Sequence, residues 1–160
     1  MHIDKLERYW LLAVTGMMGA FAAALLASVF IFGIRLPSPA GRVNPQQLDQ
    51  SEFAKPGLRQ SGTNRYELYV VAQMWRFDFG QPPGKAEIRI PAGAEVTFYT
   101  TSKDVTHGFF VEQHDINLML LPGQISSATV RFDRPGTYHI ICHEYCGPGH
   151  QAMLATIIVE

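Results

Sequence analysis

Of the 160 residues only 2 are cysteine and 2 are tryptophan, and the 13 Lys and Arg against 14 Asp and Glu leave a formal net charge of -1 at pH 7. So few cysteines exclude a disulfide-dense scaffold. The balanced charge leaves no strong field for steering a charged partner, and the lack of a basic patch gives nucleic-acid binding no support. There is no internal repeat and no run of like charge, so neither a solenoid nor a charged tail is indicated. Charge is missing altogether from Tyr9 through Ile34.

That uncharged stretch exceeds the roughly 20 apolar residues a membrane-crossing helix needs. Tyr9 and Trp10 suit one interfacial belt and Arg35 closes the other end. A secretory signal peptide is the rival, since Ser38-Pro39-Ala40 ends in a small residue. The apolar run is nevertheless longer than a signal core of roughly 7 to 15 residues, which favours an uncleaved anchor. Gly16, Gly19, Ala20, Ala23, Ala24 and Ala27 would let a neighbouring helix approach closely, though such residues also face lipid. Lys5 and Arg8 are balanced by Arg35 and Arg42, so charge does not orient the helix.

Residues 37–65 contain Pro37, Pro39, Pro45 and Pro56 with little periodicity and read as a linker after an anchor over 1–36. From 66 to 160 the pattern changes to short β-branched and aromatic runs: 66–73, 75–79, 86–90, 95–101, 108–111, 116–120, 126–132, 137–141 and 154–159. Pro82-Pro83-Gly84, Pro91-Ala92-Gly93, Pro122-Gly123 and Pro135-Gly136 punctuate them as turns. The expectation is a mainly β protein: one N-terminal transmembrane helix, then a single antiparallel β-sandwich. Met74-Trp75-Arg76-Phe77-Asp78-Phe79 reads as a strand whose aromatics pack the core.

Both cysteines fall in Cys142-His143-Glu144-Tyr145-Cys146-Gly147-Pro148-Gly149-His150-Gln151-Ala152-Met153. Thiolate and thioether are soft ligands, and with imidazole they point to copper. A disulfide, a pair of buried free thiols and a zinc site are the competing readings; Met is a poor zinc ligand. A copper site of this kind wants a second imidazole, and His107, where a polar turn meets an apolar strand, is placed to supply it. His114, between Gln113 and Asp115, reads as an exposed loop residue. His139 lies three positions before Cys142 in a strand and so faces the other way. His143 directly follows Cys142 and diverges from it. Asp104 is either a brace for His107 or a solvated turn residue. Nothing in the loop supplies an acid, base or nucleophile for bond chemistry.

Cys-x-Glu-x-Cys-x3-His-x2-Met at 142–153, with Asp-Val-x-His at 104–107, resembles subunit II of haem-copper cytochrome c oxidases. Leu121-Pro122-Gly123 and the segment 136–141 are also similar, and the likeness runs from the N-terminal helix to residue 159. The resemblance implies a cupredoxin-like Greek-key sandwich holding a binuclear CuA centre. Cys142 and Cys146 would bridge two coppers. His107 and Met153 would complete one, His150 and the backbone carbonyl of Glu144 the other. It further implies a magnesium ion at the contact with subunit I, near Glu144. A single helix is most similar to the compact bacterial and archaeal B-family branch, whose copper domain faces the periplasm or cell exterior.

The function so implied is an electron-accepting subunit of a respiratory oxidase. It takes electrons from a periplasmic or membrane-bound cytochrome c and passes them to haem in subunit I, where oxygen is reduced; a small accessory membrane subunit and the lipid bilayer complete its surroundings. A nitric oxide reductase with a CuA subunit is the close alternative. A membrane-tethered mononuclear blue-copper carrier, with Cys142 a bystander, is a different class, and a copper-delivery or disulfide protein a third. The family's aromatic run opens Gln-Trp-x-Trp; here only Trp75 matches its second Trp and Gln73 replaces the first. Trp75 is therefore not expected to receive the electron.

Overall fold

A computed structural model describes residues 4–32, 39–82 and 84–160. Residues 1–3 and 33–36 of the expected anchor, Pro37 and Ser38 of the expected linker, and Pro83 of one turn lie outside the described residues. The chain divides into an N-terminal helical unit and a β unit starting at Ser38, each compact by itself.

Helix α1 spans Lys5–Phe30, and none of its residues is buried. It starts one turn before the expected Tyr9 because Asp4 caps it, its carboxylate accepting from the Leu6 amide at 2.8 Å. Its 26 residues rise about 39 Å, enough for a hydrocarbon core of about 30 Å. The Ser28 hydroxyl donates back to the Ala24 carbonyl at 2.9 Å, so this polar group is satisfied without water. Mean hydropathy of 1.9 and exposed Leu11, Leu12, Met17, Phe21 and Leu25 fit the helix to cross a membrane once.

The β unit contains β1 (Gly41–Arg42), β2 (Gly57–Gly62), β3 (Arg65–Gln73), β4 (Arg76–Asp78), β5 (Glu87–Ile90) and β6 (Ala94–Ser102). It continues with β7 (His107–Val111), β8 (Ile116–Leu120), β9 (Gln124–Phe132), β10 (Gly136–Ile141) and β11 (Leu154–Val159). One sheet runs β1-β9-β6-β3-β2 with β4 on β3; the other runs β5-β11-β10-β7-β8. Between them pack Leu68 and Val70 of β3, Phe98 of β6, Phe109 of β7, Ile140 of β10 and Ile157 of β11, all fully buried. Each such side chain contributes about 1.5 to 3 kcal/mol by leaving water. Phe109 anchors the metal end, its ring 5.4 Å from Phe77 and 5.5 Å from Phe98.

The sandwich is mixed rather than antiparallel. β3 and β6 pair in parallel from Arg65↔Glu95 to Ala72↔Ser102, and β11 pairs in parallel with β5. Periodicity identifies strands but carries no direction, which is why neither pairing was expected. The expected linker also needs correction. Residues 41–62 hold β1, β2 and two short 3₁₀ turns, Leu48–Gln50 and Glu52–Ala54. This strap packs Leu48 and Phe53 on Tyr69, Val71 and Ile125, forming a second apolar cluster on the outer face of the first sheet. β3 is consequently buried on both faces, which explains its continuous run Leu68-Tyr69-Val70-Val71-Ala72. The Arg59 guanidinium lies 4.0 Å over the Tyr69 ring and donates to the Glu52 and Lys55 carbonyls, pinning the strap down.

Candidate metal centre

Hairpin β10–β11 and its neighbour β7 bring the motif residues together. Ile141 pairs with Leu154 on one side and with Phe110 on the other, so the loop leaving β10 passes the start of β7. The Cys142 amide donates to the Met153 carbonyl at 3.2 Å, closing the loop at its base. A 3₁₀ turn over His150–Ala152 then delivers Met153 back beneath the cysteines.

Cys142 Sγ lies 3.8 Å from Cys146 Sγ. His107 Nδ1 is 3.9 Å and the Glu144 carbonyl oxygen 3.3 Å from Cys142 Sγ. On the other side, His150 Nδ1 is 3.5 Å and Met153 Sδ 3.7 Å from Cys146 Sγ. The two thiols are free, and their separation is far beyond a disulfide bond of about 2.05 Å. It is also below about 4.6 Å, the widest spacing at which two sulfurs share one ion at a bond length of about 2.3 Å. A soft donor set in this spacing fits copper. His107, Cys142, Cys146 and Met153 are buried, while Glu144 and His150 are half-buried at the edge of the cluster.

Asp104 braces His107. Its Oδ1 accepts from His107 Nε2 at 2.8 Å and from the Val105 amide, and its Oδ2 from the Met74 amide at 2.7 Å. A carboxylate only accepts, so the ring proton sits on Nε2 and Nδ1 keeps its lone pair toward the sulfurs. Burial raises the Asp104 pKa, but the hydrogen bonds from His107, Met74 and Val105 outweigh it and hold the carboxyl below its usual range. A depressed folded pKa contributes stability above the unfolded value and loses it as pH falls through the folded one. The urea stability lost on Asp104→Asn should be full above about pH 5 and shrink progressively as pH falls from about 4 through the lower folded value. A constant difference across that window would deny Asp104 this role.

Burial, followed by the hydrogen bond and charge of Cys142, pushes the Cys146 thiol up to about 11. At neutral pH the metal-free loop therefore holds this proton, and metal uptake must expel it. Apparent copper affinity should rise about tenfold per pH unit from this proton alone between roughly pH 6 and 9. Calorimetric titrations in buffers of different ionisation enthalpy check it; an affinity flat with pH would refute it.

Among the described residues, the remaining histidines stay out of the cluster. His139 is exposed on the outer side of β10, as its spacing predicts. His114 is not the exposed loop residue expected: it is half-buried, its ring 4.3 Å from Phe132 and 4.8 Å from Tyr138. His143 turns away and lies over the Gly108 backbone. Trp75 also departs from expectation. It precedes β4, stays 43% exposed, and sets its ring on Gly147 and Gly149 of the loop rather than in the core. The only sequence sign of that contact is the pair of glycines flanking Pro148, a place where backbone can be approached closely.

Residues 78–160 match the model of the family described as cytochrome C oxidase subunit II, periplasmic domain. Cytochrome c oxidase subunit 2 of Thermus thermophilus is 42% identical over 160 residues, covering 96% of this chain and 91% of the relative. Among solved structures, a heme-copper terminal oxidase dimer contains a chain 36% identical, with a TM-score of 0.69, covering 98% of this chain and 100% of that one. A variant of rusticyanin, 18% identical with a TM-score of 0.52 over 78% of this chain and 100% of that one, shares the cupredoxin-like fold alone. With the two-sheet sandwich, the soft donor cluster at its end and the apolar N-terminal helix, these matches show that the chain belongs to the cytochrome c oxidase subunit II family, part of an oxidoreductase heme-copper oxidase complex.

Proposed function

We propose that the chain is the electron-accepting subunit of its oxidase, holding a binuclear CuA centre that receives electrons from a cytochrome c and hands them to haem in subunit I. The observation that carries this is the pairing of donors about the two sulfurs: a carbonyl oxygen and an imidazole beside Cys142, a thioether and an imidazole beside Cys146. A single tetrahedral ion uses four ligands, and six donors, two of them shareable thiolates, exceed that need. His107 and Met153 would complete one copper, His150 and the Glu144 carbonyl the other. So bound, the pair would supply a one-electron centre whose spin is shared between both metals, with small change in bonding on transfer.

The chain's own groups do the rest. Buried Cys142, Cys146, His107 and Met153 exclude water, and Asp104 fixes the His107 ring, so the donors keep one geometry in either redox state. His150 is half-exposed, and the Tyr145 ring lies 5.9 Å from its own. Among the residues flanking the ligands, Met74, Trp75, Val105 and Tyr145 are exposed, apolar groups suited to a cytochrome when the net charge is only -1. With the helix as a single-pass anchor, this domain would face the periplasm or cell exterior, and Glu144 would stand at the subunit I contact. Metal analysis and electron paramagnetic resonance on the purified full chain test the reading. Two coppers per chain with hyperfine coupling to both nuclei is the expected result; one copper with an intense blue band would overturn it in favour of a mononuclear carrier.

A further inference from the structure

Met74 and Trp75, the two residues between β3 and β4, touch both halves of the metal centre. The Met74 amide donates to Asp104 at 2.7 Å, and Asp104 holds His107 at 2.8 Å. The Trp75 ring covers the ligand loop. A Cβ placed on Gly149 would stand 2.5 Å from Trp75 Cδ2 and 2.7 Å from Cγ, and one on Gly147 would stand 3.0 Å from Nε1. Gly147 has a positive φ of 118° and needs to be glycine for that reason too. Gly149 does not: its φ of -93° suits any residue, and the three atoms nearest to a Cβ there all belong to the Trp75 ring. On the opposite flank the His143 ring lies over Gly108, where a Cβ would meet it at 2.6 Å, tying the same loop to β7.

We propose that Trp75 is a positioning residue for the metal centre, a latch whose ring, seated on Gly147 and Gly149, keeps the ligand loop closed over Cys142 and Cys146. The role deepens the copper reading, since a preformed soft cage is what that reading needs, but it belongs to the metal-free protein as well. The ring's exposed face contributes to the apolar surface while its inner face holds the loop. Loop opening is a local event, governed by few contacts and separable from unfolding of the sandwich.

The test is the rate at which a thiol reagent such as 5,5′-dithiobis(2-nitrobenzoic acid) labels the buried cysteines of the metal-free full chain in detergent. Trp75→Ala should speed labelling about tenfold with the thermal midpoint little changed, and Trp75→Phe should lie between. Gly149→Ala should speed labelling as well, because its new methyl displaces the ring. In the double variant, Gly149→Ala should add nothing to Trp75→Ala, since the clash has lost its partner. Labelling of Trp75→Ala within about twofold of the parent, or effects of the two substitutions that simply multiply, would overturn the latch. Should Trp75→Ala not fold, Trp75→Phe and Gly149→Ala carry the same comparison. Because labelling needs no copper, a one-copper blue spectrum would remove the CuA reading and leave the latch standing, and unchanged labelling would do the reverse.

Discussion

Cys142→Ser should abolish the binuclear signal outright. Serine is nearly isosteric, and the loop base is closed by the Cys142 amide rather than its side chain, so the fold should persist. What goes is the sulfur standing between His107 Nδ1 and Cys146 Sγ, 3.9 and 3.8 Å away. An alkoxide is a hard donor that a neutral hydroxyl does not readily supply, and no second soft anion remains on that side. Copper content should fall to one ion or fewer, with any residual signal coupled to a single nucleus. Cys146→Ser removes the partner sulfur and should do the same. Survival of coupling to two nuclei in Cys142→Ser would refute the bridging role. An unchanged single-copper signal would identify Cys142 as the bystander of a mononuclear site.

The second large effect is expected far from the copper loop. Phe53 is 2% exposed, meets Tyr69 edge-on at 5.7 Å, and fixes the strap against the outer face of the first sheet. Phe53→Ala should cost about 3 to 5 kcal/mol, because the strap is a short segment held by few apolar anchors and the sheet beneath cannot collapse into the gap. Thermal unfolding should show a fall of roughly 10 °C or more in midpoint. The thiol cluster lies among β7, β10 and β11 of the other sheet, so its spectroscopic signature should be unchanged below the new midpoint. A loss under about 1 kcal/mol would mean that the strap merely rests on the sheet.

Much of this was legible in the residues. The uncharged run marked the helix, though Asp4, the cap that starts it a turn earlier, was overlooked. Alternation and Pro-Gly punctuation located the strands from β3 onward to within a residue or two, because each buries one periodic face. The strap was not legible: Val43, Leu48 and Phe53 are single apolar residues with no period, and only the uncovered side of β3 shows what they are for. In the metal centre, the soft residues of 142–153 and His107 stand out by ligand type, and the structure gathers their donor atoms within 3.9 Å of one or other cysteine sulfur. Trp75 misled because an aromatic beside a strand is normally core. Its partner is loop backbone, and glycine backbone carries no hydrophobic signal. His114 misled similarly, its polar neighbours hiding the rings of Phe132 and Tyr138, which come from remote strands.

The position of β11 sets a timetable for maturation. β11 follows the ligand loop yet lies inside its sheet, between β5 and β10, and the Arg89–Glu160 ion pair at that seam joins residues 71 positions apart. Such distant parallel pairing is slow to form, since a long loop must close before any contact rewards it. Until β11 is in place, Met153 and His150 have no fixed relation to His107, and the two thiols stand open to oxidation. Assembly of the complete donor set is thus a late event, following closure of the second sheet.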